Sequence, residues 1–182
     1  MSSYGFRFKD KHSYTDYGLI MRSKDRSLLP ATKRRQINLD FLDGKIDLQK
    51  EPVYDNRIIS VQLVYRFNTL QEMHAKKRQM AAWLSGLDKL VFDDEPDKYY
   101  EAKVFDAISI EQSLKRMVVQ VDFECSPFAL NNQQMQVNTI TEQGQKFNIT
   151  IAGNIKTCGK LIITNIGDSV INSLTLRRER TK

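Results

Sequence analysis

The residues that could perform catalysis are few in this sequence and stand far apart. A serine or cysteine nucleophile needs a base within reach, and the sequence has only two histidines, His12 and His74. Cys125 falls on the apolar side of an alternating segment, where a buried, inert thiol is expected. Cys158 precedes a glycine in a predicted turn. Nucleophile-elbow, phosphate-loop and zinc-protease motifs are absent from the sequence. We therefore predict that the protein is not an enzyme and holds no cofactor.

The acidic run from Asp93 to Asp97 is the best candidate for a metal site. It places its acids side by side, interrupted only by Pro96. A calcium loop of the EF-hand type needs ligands at alternating positions around a glycine, and this run contains no glycine. The two cysteines and two histidines are not spaced as local ligand pairs, so a zinc site is not indicated either. We expect a solvated turn and no bound metal.

Basic residues outnumber acidic ones, and the formal net charge is +6. Part of the excess lies in the last six residues, 177–182, where we expect a solvated tail. The basic residues at 74–78 (His74, Lys76, Lys77 and Arg78) do not share one face of a helix, and Lys33, Arg34 and Arg35 precede a predicted strand. A single-strand binder would need a basic groove lined with aromatic side chains, and none can be drawn. We predict no sequence-specific nucleic-acid binding, although the charge permits diffuse contact with DNA.

Alternation of apolar and polar residues dominates the sequence and predicts β-strands. Residues 57–67 and Arg116–Cys125 both place an apolar side chain at every second position. Residues 35–41 repeat the pattern, and the Asp43-Gly44 pair that follows predicts a hairpin with a return strand at 45–48. Each of these strands has one apolar face for a core and one face for water or a partner, as in antiparallel sheets.

Residues 69–86 break the alternation and predict one amphipathic helix. Apolar residues recur at helical spacing between Leu70 and Leu87. Thr69 and Glu72 are placed for a capping box at the start, and Gly86 is placed to end the helix. We expect Trp83 to pack between this helix and a sheet.

The remaining pattern predicts the fold class and the domains. A short strand is expected at 89–93, and a hairpin of residues 99–110 with Arg116–Cys125 across residues 111–115. The polar stretch 131–136 indicates a linker or boundary, after which strand signals return at 147–151, 161–164 and 170–176. These are too few for a sandwich of their own. We predict a mainly β (α+β) protein: an antiparallel β-sandwich with one amphipathic helix over 1–128, then a linker and partial second β-sandwich over 129–182.

The composition is that of an ordinary globular protein, with 41% hydrophobic and 27% charged residues. Residues 1–11 lack the apolar region of a signal peptide, and no apolar stretch approaches the ~20 residues of a membrane-spanning helix. The cysteines do not form a disulfide framework, which favours a reducing environment. We expect synthesis in the cytosol and no membrane insertion.

Several short motifs follow one another in order along the first 128 residues. They are YGFRF at 4–8, SYTDYGL at 13–19, LDG at 42–44, RIISV at 57–61, AWL at 82–84, LVFDDEPDKYYEA at 90–102 and VDFECSPF at 121–128. The most specific are those around Trp83-Leu84, at 93–102 and at 123–128. In its order and spacing of motifs, the chain resembles the siphophage distal tail protein family.

The resemblance implies a structural role in a phage virion. Family members form a hexameric ring below the tail tube, built by an N-terminal β-sandwich with a helix, and carry a galectin-like C-terminal sandwich that faces outward. The ring joins the tail tube to the tail tip or baseplate, and DNA passes through its lumen. The implied partners are copies of the chain itself, the tail tube protein, tail-tip or baseplate proteins and a receptor-binding protein. The implied location is the tail tip, after assembly in the bacterial cytoplasm. The family supplies no catalytic residue.

The chain departs from the family after residue 131, where only a few strand signals stand in place of a full outer sandwich. We therefore expect a truncated galectin-like domain. One alternative is a tail tube or baseplate β-protein of another family, but the helix and the acidic run leading into Tyr99-Tyr100 favour the distal tail family. A second alternative is a carbohydrate-binding module in the C-terminal strands. Sugar sites usually use an aromatic platform, and Phe147 is the one aromatic residue after Phe128.

Overall fold

The computed structural model describes residues 4–41, 43–49, 51–113, 115–131, 137–142, 145–147, 153–155 and 161–175. The chain divides into two units, Met1–Met135 and Gln136–Lys182. Every helix and strand assigned in the described residues belongs to the first unit. The predicted boundary after residue 128 remains a prediction.

Eleven strands and one helix are found in the described part of the first unit. In chain order they are β1 Phe6–Phe8, β2 Lys11–His12, β3 Ile20–Arg26, β4 Gln36–Asn38, β5 Lys45–Asp47, β6 Arg57–Arg66, α1 Leu70–Leu84, β7 Leu87–Phe92, β8 Lys98–Val104, β9 Ser109–Ser113, β10 Arg116–Cys125 and β11 Leu130–Asn131. The predicted fold class, mainly β with one helix, is confirmed.

Nine of the strands form one antiparallel sheet. Seven of them follow the order β2-β1-β7-β8-β10-β6-β3, and β9 and β11 pair beside this path. Strand β10 is its centre, because it pairs with β6 along its whole length, from Arg116 opposite Arg66 to Cys125 opposite Arg57. On its other side, the first half of β10 pairs with β9 and the last three residues pair with β8. Strand β11 extends the sheet beside β8.

The core lies on one face of this sheet, where α1 packs. The alternation of β10 buries Met117, Val119, Val121, Phe123 and Cys125, as the sequence predicts. Alternate residues of β1, β6 and β7 join the same cluster, and α1 contributes Met73, Met80, Trp83 and Leu84. The buried side chains at every second position of the strands and those on the apolar face of α1 therefore pack together in one hydrophobic core.

The predicted helix caps form with one difference in partner. Thr69 Oγ1 accepts a hydrogen bond from the backbone N–H of Glu72 at 3.2 Å. In return, the Glu72 carboxylate accepts from the backbone N–H of Asn68, one residue before the cap, and from the hydroxyl of Tyr65 at 2.6 Å. Gly86 follows the helix with φ of +85°, a conformation in which glycine carries no steric penalty. The start of α1 is thereby tied to the end of β6.

Three strand predictions differ from the structure. Strands β1, β2, β3 and β11 were not predicted. Residues 99–110 contain the end of one strand and the start of another, because β8 ends at Val104 and β9 begins at Ser109. Residues Glu111 to Ser113, which were expected in a turn, lie in β9 and pair with β10. The reason is the length of β10, which leaves an unpaired edge along its first half for β9 to fill.

The predicted hairpin at 35–48 forms as a separate two-stranded sheet, here called the arm (residues 33–49). Its innermost pair is Asn38 opposite Lys45, so the connection is longer than the two-residue Asp43-Gly44 turn that was predicted. The observed register places Ile37 opposite Ile46, a cross-strand pair of β-branched residues that favours this alignment.

The described residues of the second unit, 137–142, 145–147, 153–155 and 161–175, contain no assigned helix or strand. The strands predicted at 161–164 and over 170–175 are therefore not formed there. A strand needs a partner, and the apolar side chains of Leu161, Ile166 and Val170 are all exposed. Asn165 instead closes a local turn, donating to Ser169 O and accepting from Gly167 N. Most of the predicted strand at 147–151 lies outside the described residues, and the partial second sandwich remains a prediction.

Candidate assembly surfaces

The residues that could act as nucleophile or base have structural roles where they are described. Cys125 is buried, its thiol donates to the carbonyl of Phe123 at 3.5 Å, and burial raises its pKa to about 12. A thiol with such a raised pKa is a poor nucleophile near neutral pH, which agrees with the predicted inert role. Cys158 lies outside the described residues. His74 is exposed on α1.

His12 holds a turn with both nitrogens of its ring. Its Nδ1 accepts hydrogen bonds from the backbone N–H groups of Tyr14 and Thr15 at 3.1 and 3.2 Å. Its Nε2 lies 3.0 Å from Oδ2 of Asp93. This network assigns the hydrogen to Nε2, which donates to the carboxylate. The ring therefore has no nitrogen left over to serve as a general base in this arrangement.

The acidic run 93–97 connects the N-terminal segment to the sheet. Asp93 Oδ2 accepts from the backbone N–H of Gly5 at 2.7 Å, and Asp93 N donates to Gly5 O at 3.2 Å. Gly5 is required there, because a Cβ at this position would lie 2.5 Å from Oγ of the buried Ser13. Ser13 Oγ in turn accepts from the backbone N–H of Phe6. Asp93, Gly5, Ser13 and His12 thus form one polar network at the start of β1.

The next two acids of the run hold strand β3. Asp94 pairs with Lys24, and Glu95 pairs with Arg26, which also donates to the hydroxyl of Tyr100 at 3.1 Å. Partial burial works to raise the pKa of Asp94, but hydrogen bonds from Lys24 and Tyr4 outweigh it and hold that pKa below its usual range. Burial and the hydrogen bond to Asp94 raise the pKa of Tyr4 to about 12.

The expectation of a solvated turn at 93–97 was therefore incomplete. Its acids are partly exposed, but Asp93, Asp94 and Glu95 each pair with a cationic or imidazole side chain of an earlier segment. Within the described residues, no group of three or more His, Cys, Asp or Glu side chains is placed to hold a metal ion. The sequence could not reveal these pairs, because their partners lie about 70 to 80 positions away along the chain.

Trp83 lies where the sequence predicts, between α1 and the sheet. The side chain is 4% exposed, and Nε1 donates to the carbonyl of Phe8 at 2.8 Å. One face of the indole stacks on Phe6 with ring centroids 5.5 Å apart, and Tyr17 stacks on it at 4.3 Å. Aromatic contacts of this kind add to the free energy gained from burial. The indole thus joins α1, β1 and the turn before β3.

Three basic residues that sequence reasoning did not single out, Arg66, Lys115 and Arg116, line a hollow of about 450 Å³ together with Phe67. Lys76 lies over the rings of Tyr65 and Tyr17, at 5.1 and 5.8 Å from their centroids. Lys33 pairs with Asp55 at 3.5 Å, while Arg34 and Arg35 are exposed on the arm. No helix among the described residues is long and apolar enough to cross a membrane.

The arm exposes an apolar surface, here called the arm face (Arg35, Ile37, Ile46 and Leu48). Ile37 and Ile46 are a cross-strand pair, and the hydrogen bond from Leu48 N to Arg35 O continues this register. Directly opposed residues project from the same side of a hairpin, so these four side chains share one side. All four are exposed in the described chain. Arg34 is also exposed and precedes β4.

A second surface lies on the face of the main sheet that points away from the core. It is a hollow of about 420 Å³, here called the acidic hollow, lined by Ile58, Lys103, Phe105, Asp106, Asp122 and Glu124. Glu124 is engaged by Asn56 at 2.8 Å and by Lys103 at 3.2 Å. These two donors hold the pKa of Glu124 below its usual range. Oδ1 of Asp122 is buried and has no hydrogen-bond donor among the described residues.

Sequence reasoning did not find the acidic hollow. Asp122 and Glu124 occupy the polar side of the predicted strand Arg116–Cys125, and that side was expected to meet water or a partner. Phe105 and Asp106 come from the loop after β8, within the stretch that was predicted as one continuous strand. Phe105 and Asp106 directly follow the end of β8 at Val104. Their position beside β10 depends on the sheet order.

Comparison with known proteins assigns the family. Residues 12–151 match the family described as the phage tail protein RIFT-related domain. The chain belongs to this family. The match covers the described sheet from β3 onward together with His12 of β2, and it confirms the resemblance to siphophage tail proteins that the motif order predicts. No curated protein matches the sequence.

A solved structure agrees in fold. The Dit protein of phage SPP1, described as a paradigm of the hub adsorption apparatus in phages that infect Gram-positive bacteria, aligns with a TM-score of 0.60 at 15% identity. The alignment covers 70% of this chain and 52% of the Dit chain. The present chain therefore spans about half the length of that relative. At this identity the likeness concerns the fold.

Proposed function

We propose that this tail protein is a distal tail adaptor, a ring of six identical copies that joins the tail tube to the tail tip or baseplate. The observation that carries the proposal is the family match over residues 12–151 together with the fold shared with a hub protein of another phage. The motif order along the first 128 residues supports the same assignment.

The surfaces of the first unit support assembly with copies of itself. The arm presents four side chains on one side with no cover in the described chain, and a two-stranded hairpin alone is at best marginally stable in water. Strands β2 and β3 stand at the two ends of the main sheet path. A ring of identical copies uses two different surfaces per copy, one meeting the other in the neighbour, and closes by rotation.

The role proposed is structural and not enzymatic. Cys125 and His12 are both engaged in the fold, so the described chain offers neither a reactive thiol nor an unengaged His12 ring. DNA passage through the lumen of the ring, location at the tail tip of the virion and assembly in the host cytoplasm belong to the proposal. So do the partners: tail tube protein, tail-tip or baseplate proteins and a receptor-binding protein.

The second unit is proposed to be part of an outer, galectin-like domain. The chain spans about half of the Dit protein that it matches. The proposed boundary lies after residue 128, near the division of the chain into Met1–Met135 and Gln136–Lys182.

The test is the absolute mass in solution, measured by light scattering after size exclusion over a wide concentration range. We expect a hexamer, or a monomer that converts to one as concentration rises, and a central hole in negative-stain images. A chain that stays monomeric should assemble when the cognate tail tube protein is added. A monomer under both conditions would refute the ring.

A further inference from the structure

We propose that a basic hollow at one end of strands β6 and β10 binds the phosphate groups of duplex DNA without regard to base sequence. The basic hollow is defined by the residues that line it: Arg66, Phe67, Asn68, Ser113, Lys115 and Arg116. Its preference for phosphate follows from these residues alone. The identification of DNA as the source of the phosphate groups rests on the proposed function, in which DNA passes through a ring.

Three residues of the basic hollow form a row across three neighbouring strands. Arg116 of β10 lies directly opposite Arg66 of β6 on one side and Ser113 of β9 on the other. Directly opposed residues project from the same face of a sheet, with Cβ atoms about 4.5–5.5 Å apart. The row lies on the face that points away from the core, because its three side chains are exposed while the adjacent Phe67 and Met117 are buried.

The turn between β9 and β10 adds a third cation. The backbone carbonyl of Lys115 accepts a hydrogen bond from the backbone N–H of Phe67 at 3.2 Å, which holds this turn beside the connection from β6 to α1. The side chain of Lys115 is exposed and lines the same hollow. Asn68 and Ser113 contribute an amide and a hydroxyl, both of which are hydrogen-bond donors. Three cations and two neutral donors thus surround a volume of about 450 Å³.

The cations of the basic hollow have no counter-ion among the described residues. No carboxylate is found in its described lining, and none of its three cations forms an ion pair there. The direct opposition of Arg66 and Arg116 is an arrangement of like charges that destabilises a sheet. Such local conflicts are expected at functional sites, and an anion that bridges the two guanidinium groups removes the repulsion.

A phosphate backbone fits the basic hollow better than an acidic protein surface does. The centre of a protein contact is usually apolar, with charged residues depleted and aromatic residues enriched. Among the described residues of the hollow, Phe67 is the one apolar side chain, and it is only 3% exposed. A ring so deeply buried offers no platform for stacking an unpaired base either. Charge without base contacts is how proteins hold the backbone of duplex DNA.

The test measures binding of a fluorescently labelled duplex DNA of mixed sequence to the full chain, by fluorescence anisotropy over a series of salt concentrations. Arg66→Gln and Arg116→Gln should each weaken binding on the order of fivefold and reduce the steepness of its salt dependence by about one phosphate contact. Arg34→Gln, the matched control on the arm, should change neither. The melting temperatures of the two hollow variants should equal or exceed that of the wild type, because the repulsion between opposed arginines is relieved.

Competition experiments distinguish the sources of the anion. Unlabelled duplex should displace the labelled DNA more effectively than poly-glutamate or single-stranded DNA of equal total charge, because duplex phosphates are the most densely spaced. Equal or better displacement by poly-glutamate would assign the hollow to an acidic protein, and better displacement by the single strand would contradict binding without base contacts. Complete displacement by inorganic phosphate, compared with chloride at equal ionic strength, would assign the hollow to the free ion.

The remaining outcomes separate this site from the ring itself. Binding that is unchanged in Arg66→Gln and Arg116→Gln, or equally weakened by Arg34→Gln, would overturn the site, because the affinity would then come from net charge. Light scattering of the same samples reports the oligomeric state. A chain that binds duplex DNA through these arginines but stays monomeric even with the tail tube protein refutes the ring and leaves the phosphate site standing. A ring that binds no DNA does the reverse.

Discussion

Strand β10 and the arm have the same alternation of apolar and polar residues, yet only β10 buries its apolar side. Val119, Val121 and Phe123 of β10 are fully buried beneath α1 and the neighbouring strands. Ile37 and Ile46 of the arm stand opposite each other and are exposed. The difference is one of neighbours, because β10 has partner strands on both sides and the arm strands have only each other.

This contrast shows what alternation can and cannot predict. A period of two predicts a strand with one apolar face, but it does not say whether the cover comes from the same chain. In the main sheet the cover is internal and the strands are stable within one copy. In the arm we propose that the cover is a second copy, so substitutions there should affect assembly more than folding. The predictions below test this distinction, from the largest expected effect to the smallest.

The largest effect is expected at Trp83, which fixes the internally covered region. Trp83→Ala removes the indole from between Phe6 and Tyr17 and leaves the carbonyl of Phe8 without its donor. We expect the free energy of unfolding to fall by about 3–5 kcal/mol. Denaturant unfolding followed by far-ultraviolet circular dichroism measures this. Trp83→Phe, which keeps the stacking but not the hydrogen bond, should cost less. A fall below 1 kcal/mol for Trp83→Ala would contradict the burial of this side chain.

Two isoleucines, one buried in the main sheet and one exposed on the arm, test the contrast directly. Ile59→Ala in β6 creates a cavity in the core and should lower the free energy of unfolding by about 2–5 kcal/mol. Ile46→Ala in the arm should change the stability of the monomer by less than about 0.5 kcal/mol, because the side chain is exposed there. The effect of Ile46→Ala should appear in assembly instead, which we expect this variant to weaken. Equal loss of monomer stability from both variants would remove the distinction between the regions.

The cap of α1 should give a smaller effect within the internally covered region. Thr69→Ala removes the hydroxyl that accepts from Glu72 N, and we expect a loss of about 1 kcal/mol in the free energy of unfolding. Thermal unfolding of the wild type and the variant measures it. Thr69→Ser keeps the hydroxyl and should retain most of the stability, so a full loss with serine would mean that the methyl group, not the cap, is responsible.

The smallest effect is expected from Asp94, and it depends on pH. Its folded-state pKa lies below the ordinary value of 3.8, so its carboxylate stabilises the fold above that pH, and the stabilisation is lost as pH falls through the folded pKa. Asp94→Asn should cost under about 1 kcal/mol at neutral pH because the pair with Lys24 is partly exposed. The difference from wild type in melting temperature should shrink below about pH 4.

The control for this pH dependence comes from the arm. Asp43→Asn removes an exposed carboxylate there and should leave the melting temperature nearly unchanged. A difference between Asp94→Asn and wild type that persists unchanged at acidic pH would show that the asparagine disturbs the turn itself.

Much of the main sheet could be predicted from local pattern. Strands β6 and β10 and helix α1 have long, regular apolar periods, and their bounds fall within two residues of the prediction. The role of Trp83 followed from its place beside the apolar stripe of the helix. In contrast, β1 has only three residues, Phe6–Phe8, and β3 carries the mixed sequence IMRSKDR, so neither shows a strong period.

The candidate surfaces could not be predicted because they depend on long-range order. The acidic hollow is lined by residues of β6, β8, β10 and the loop after β8. The order of strands in the sheet brings these residues together, and the sequence of any one segment does not predict that order. The ion pairs of the acidic run likewise join positions far apart in sequence. Local spacing predicted which positions of a strand are polar, but it did not predict the distant residues that these polar side chains contact.

The pairing of β1 with β7 also has a consequence for synthesis on the ribosome. Phe6 lies opposite Phe92 and packs against Phe123, so its strand partner and much of its hydrophobic surroundings are translated long after it. At about 5–20 residues per second, that delay is on the order of ten seconds. During this time the aromatic side chains of Phe6 and Phe8 are exposed on a nascent chain. Efficient production of the protein therefore depends on keeping its own first strand from premature contacts.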